Sequence, residues 1–125
     1  MDITDISSFF KSYVETEEVP VVMCDLDYRI IYANRSALEE FGKYELTVGK
    51  SLRLYMNEES LSKINVVVEW FKESTENNSI FVGRIDDENI DLYITAVRDE
   101  NNELIGFCNK RRKRSADKCE PYDAI

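Results

Sequence analysis

The sequence predicts an α+β fold: one antiparallel sheet with its helices gathered on one face. Three observations carry this. β-Branched apolar runs stand near both ends of the 125-residue chain. Helical periodicity fills the middle, and its longest stretch runs directly into three strand patterns joined by polar turns. An amphipathic helix precedes the first strand.

That helix is predicted over residues 2–17, where Ile3, Ile6, Phe10 and Tyr13 recur at steps of three, four and three, with Phe9 and Val14 alongside. Asp2 or Thr4 can cap it, and Pro20 ends it by pushing Val19 out of helical conformation. Val21–Asp25 reads as a buried strand, Leu26-Asp27-Tyr28 as a turn, and Arg29–Ala33 as a returning strand. Asn34 suits a helix N-cap, with Ala37, Leu38 and Phe41 facing inward and Gly42 as the stop. Residues 43–56 read as irregular, with one further helical turn. Asn57–Thr75 is the strongest helix: Asn57 caps it, Glu58 and Glu59 suit its positive end, and Leu61, Ile64, Val68 and Phe71 form its stripe. Strands follow at about Ile80–Ile85, Asn89–Arg98 and Glu103–Asn109, connected by acidic, Asn-containing turns. The chain divides into an N-terminal helix (1–18), a domain (19–110) and a charged tail (111–125).

Composition excludes several function classes. Histidine is absent, which removes His-based acid–base chemistry, His-ligated haem and most transition-metal sites. Cys24, Cys108 and Cys119 have neither disulfide nor zinc spacing. A net charge of −9 disfavours general binding to phosphate backbones, so nucleic acid is not an expected partner. No apolar stretch reaches the ~20 residues of a membrane span, and the N-terminus lacks a secretory pattern, so a cytoplasmic location is expected. The acidic turns lack calcium-loop spacing, and Gly49-Lys50-Ser51 lacks the upstream glycine of a phosphate loop.

The succession of Asp25, Asn34, Gly49, Val97-Arg98-Asp99 and Leu104-Ile105-Gly106-Phe107 resembles the PAS domain family over residues 19–110. It is similar to small stand-alone bacterial PAS proteins and to PAS domains found with hemerythrin-like domains. The resemblance implies a five-stranded sheet in spatial order 2-1-5-4-3, helices cupped over its inner face, and a sensor or interaction role rather than catalysis. It also implies a cavity among Val22, Cys24, Leu38, Phe41, Leu52, Ile64, Val68, Phe71, Leu92, Ile94, Leu104, Gly106 and Cys108, suited to a small apolar ligand. No cofactor is expected. Leu52 replaces the cysteine of flavin photosensors, Ile90 and Cys108 replace their polar ring contacts, and Tyr55-Met56 stand where similar proteins carry a Cys-His pair.

Strand alternation turns Tyr93, Thr95, Val97, Ile105 and Phe107 outward if Leu92 and Ile94 face inward. With Ile3, Ile6, Phe9, Phe10 and Tyr13 they predict a homodimer in which the N-terminal helix covers the outer sheet face. Signals would pass through that packing to a downstream protein. The alternative is an adaptor that binds an acidic partner, nucleic acid or a lipid surface through the basic run Lys110–Arg114.

Overall fold

A computed structural model describes residues 6–42, 46–85, 87 and 89–114. Helix α1 (Ile6–Glu15) leads into β1 (Val21–Asp25) and β2 (Ile30–Ala33). Helix α2 (Arg35–Phe41), a 3-10 turn (Leu52–Leu54) and α3 (Glu58–Glu73) follow. Strands β3 (Ser79–Ile85), β4 (Ile90–Arg98) and β5 (Leu104–Lys113) complete one antiparallel sheet in the order β2-β1-β5-β4-β3. The α+β class and the strand order agree with expectation.

Local side chains set the element ends. Asn57 caps α3 by accepting from the Ser60 N–H at 2.8 Å. Asp25 Oδ1 accepts from the Asp27 and Arg29 amides, each at 2.9 Å, and so shapes the first hairpin. Asp99 repeats the device on the amides of Asn101 and Glu103. Asn34 does more than cap. It is fully buried; its Oδ1 accepts from Ala37 N–H (2.9 Å) and Val21 N–H (3.0 Å), and its Nδ2 donates to Val19 O (3.0 Å). One side chain thus joins the linker before β1, β1 itself and α2.

Helix α3 buries Ile64, Val67, Val68 and Phe71 against the inner sheet face. Phe107, Tyr28 and Ile30 meet them there; the Tyr28 and Phe107 rings pack edge to face, centroids 5.3 Å apart. Arg98 fixes the other end of the helix by donating to the carbonyls of Phe71 (2.7 Å), Ser74 and Asn77 (both 3.1 Å). The guanidinium satisfies C-terminal carbonyls and opposes the negative end of the helix dipole.

Three expectations need correction. Phe107 does not face outward: it is fully buried in the core. The register passes from Val97↔Gly106 to Arg98↔Leu104, so Ile105 is an unpaired extra residue that resets the alternation of β5. Leu38 does not face inward; in the short α2 it is Ala37 that meets the core, and Leu38 is exposed. The last strand does not stop at Asn109. It pairs with β4 through Lys113↔Ile90, so residues 111–113 are strand rather than tail. The cations find partners there: Arg111 with Glu40 (2.5 Å), Lys113 with Glu18 (3.1 Å), and Arg114, just beyond, with Asp91 (3.0 Å). Residue Ile3 lies outside the described residues.

Candidate functional site: an inner cavity beside the core

The loop after α2 returns to the edge of β2. Gly49 takes φ 96°, a conformation that favours glycine, and donates to Ile30 O at 2.8 Å. Ile30 N–H donates to Lys50 O (2.9 Å), and Leu52 N–H to Tyr28 O (2.7 Å). These bonds carry Leu52 into the core and set the 3-10 turn beside the start of α3. Across from it, β3 bulges: Phe81 pairs with Tyr93 and Gly83 with Leu92, leaving Val82 unpaired. Gly83 adds no side chain there.

Between the 3-10 turn, α3 and the sheet lies a cavity of ≈ 510 Å³, within the ~300–1,000 Å³ of small-molecule pockets. Of the set the resemblance implies, Val22, Phe41, Leu52, Ile64, Leu92 and Ile94 line it. Pro20, Leu46, Tyr55, Met56, Ser60, Lys63, Val82, Tyr93, Asn109, Lys110 and Arg111 also line it. Tyr55 and Met56 were visible in the sequence only as a replaced motif. Asn109 and Arg111 follow from the parity of Phe107 once the Ile105 bulge is known. Lys63 and Ser60 flank the apolar stripe of α3 and give no sequence signal of their own.

The remaining expected cavity residues lie elsewhere. Cys24, Val68 and Phe71 are packed in the core, with Leu104 against them. Leu38 is on the surface. Gly106 and Cys108 belong to the opposite parity from Phe107. Gly106 is instead a packing position, since a Cβ there would collide with the Cys24 carbonyl oxygen. Both described thiols are buried. Burial pushes Cys24 up to about 12, helped by Asp25, and Cys108 to about 11, so neither is a nucleophile at neutral pH. Among the described residues no group of His, Cys, Asp and Glu could hold a metal ion.

The residues expected at a dimer surface differ in exposure. Ile6, Phe9, Phe10 and Tyr13 are exposed on α1, Ile105 is exposed, and Tyr93, Thr95 and Val97 are half-buried. Helix α1 buries none of its residues. It is held at the sheet by polar contacts: the Tyr32 hydroxyl donates to the Glu15 carboxylate, and Glu15 accepts from the Arg35 amide. No described helix is long and apolar enough to cross a membrane.

A family model described as a PAS domain matches residues 18–109. Solved structures show the same fold. A C-terminal domain from Streptococcus mutans aligns at 16% identity and TM-score 0.65, covering 86% of this chain and 84% of its own. The PAS domain of Bordetella pertussis BvgS aligns at 16% and 0.59, covering 90% and 88%. A PAS domain from Colwellia psychrerythraea aligns at 16% and 0.59, covering 87% and 97%. No curated protein matches the sequence significantly.

Proposed function

The chain belongs to the PAS domain family, and from that membership we propose a non-catalytic sensor module whose inner cavity takes a small, largely apolar ligand. The observation that carries this is the ≈ 510 Å³ cavity walled by Val22, Leu52, Ile64, Leu92 and Ile94. It adjoins β4 and β5, whose other face carries Thr95 and Val97. A ligand that shifts these strands changes the outer face directly. The exposed stripe Ile6, Phe9, Phe10 supports a homodimer that covers that face, with output to a downstream signalling protein inside the cell. Native mass spectrometry and an absorption spectrum of freshly purified protein test the reading. A dimer with a retained organic ligand and no visible chromophore is expected. A stoichiometric Soret or flavin band, or a ligand-free monomer at tens of micromolar, would overturn it. The adaptor reading through Lys110–Arg114 has weaker support, because Arg111, Lys113 and Arg114 already pair with Glu40, Glu18 and Asp91.

A further inference from the structure

The geometry points to a ligand with an anionic head: we infer that the cavity takes a monocarboxylate on an apolar body. The inference deepens the proposed function and rests on it. The cavity walls are apolar, but its polar lining is donor-rich. Lys63, Lys110 and Arg111 are cations, and Ser60 and Asn109 add uncharged donors. None of the lining residues is acidic, in a chain with 25 acidic and 16 basic residues.

Arg111 is already ordered. Glu40 grips it with Oε1 2.7 Å from Nη1 and Oε2 2.5 Å from Nη2, and its guanidinium lies 5.6 Å from the Phe41 ring centroid. Its side chain is only 16% exposed. Glu40 does not line the cavity, so the carboxylate braces Arg111 from outside it. A guanidinium has five N–H donors and a bidentate pair engages two, which leaves donors for a second carboxylate. Lys63 pairs with Glu59 at 3.6 Å, with both side chains about three-quarters exposed (74% and 79%). Such a pair is weak, and its ammonium is easily redirected to a ligand.

A carboxylate beside these donors gains charge-assisted hydrogen bonds that a hydroxyl does not. A second charge would face the apolar wall of Leu52, Ile64 and Ile94, which disfavours dianions. The whole protein carries −9 and repels anions in general. A preference for a carboxylate must therefore come from this local set of donors.

The test is calorimetric titration of the full chain with decanoate and with decanol, each below its aggregation limit. Decanoate is expected to bind about tenfold more tightly, the increment of one charge-assisted contact. Lys63→Met, at a side chain about three-quarters exposed, should remove part of that preference, and Arg111→Gln most of it, read as the ratio of decanoate to decanol affinity in each variant. Circular dichroism checks that each variant is folded. Equal binding of the two probes would overturn the head-group inference while the cavity reading stands. Preference retained in folded Arg111→Gln and in Lys63→Met would overturn it too. Binding of neither probe would remove the cavity reading and this inference with it.

Discussion

Helices α1 and α3 are both amphipathic, yet α3 buries Ile64, Val67, Val68 and Phe71 while α1 buries nothing. The difference shows what a helical stripe means. A repeat of three and four residues says that a helix has an apolar face, not where that face is satisfied. For α3 the partner is the inner sheet face, reached by a stripe that meets Phe107 and Ile30. For α1 the anchor is polar: Glu15 holds Tyr32 and the Arg35 amide, and Asn34 reaches toward Val14 O. Its aromatic stripe stays exposed. The natural account is a partner outside the protomer, as in the proposed dimer.

The largest effect expected is at the α3 side. Phe71→Ala should cost about 2–5 kcal/mol in denaturant melts, because a fully buried ring leaves a cavity. Leu92→Ala should cost less, about 1 kcal/mol, since Leu92 is half-buried on the wall of an existing cavity. A Phe71→Ala cost below 1 kcal/mol would erase the contrast between the helices.

Next is the joint between them. Asn34→Ala removes a cap and strands the Val21 and Ala37 amides, for about 1–3 kcal/mol, and should make the α1 linker more sensitive to limited proteolysis. Unchanged proteolysis would mean that α1 docks independently of Asn34.

Tyr32→Phe should cost about 1 kcal/mol, the worth of one hydrogen bond. Burial, then the Glu15 hydrogen bond and charge, push the Tyr32 phenol from 10.0 up to about 12. The folded state therefore holds this proton more tightly. The contribution is complete below pH 10 and fades as pH climbs toward 12. Tyrosinate absorbance should show a late-ionising group in the parent that Tyr32→Phe lacks. A Tyr32 phenol that ionises with the exposed tyrosines would detach α1 from this anchor.

The smallest effect on the protomer should come from α1's own stripe. Phe9→Ser with Phe10→Ser is expected to change unfolding stability by less than about 0.5 kcal/mol. It should nevertheless shift sedimentation from dimer toward monomer. A large loss of stability with no change in association would show that the stripe packs within the protomer.

Much of the fold was legible in the sequence because its signals are local. The Asn34 and Asn57 caps, the Asp25 and Asp99 turns and the α3 stripe each act within a few residues, where sequence distance and spatial distance coincide. About half of the expected cavity set is on the cavity wall. The misplaced residues trace to particular causes. Gly106, Phe107 and Cys108 changed face because of one bulge at Ile105, and Leu38 because α2 buries only Ala37.

The sequence by itself determined the α+β class, the helices and strands, and the absence of histidine chemistry. Only the tertiary structure decided the parity of β5, the burial of Phe107 and the entry of Lys110–Lys113 into the sheet. A bulge is a property of two paired strands, and neither strand carries it alone. A charged segment becomes strand when a neighbour such as β4 offers unpaired backbone groups and when Glu18, Glu40 and Asp91 stand where the cations arrive. Those partners lie far away along the chain. Their meeting is fixed by the packing of the whole sheet, which no local pattern encodes.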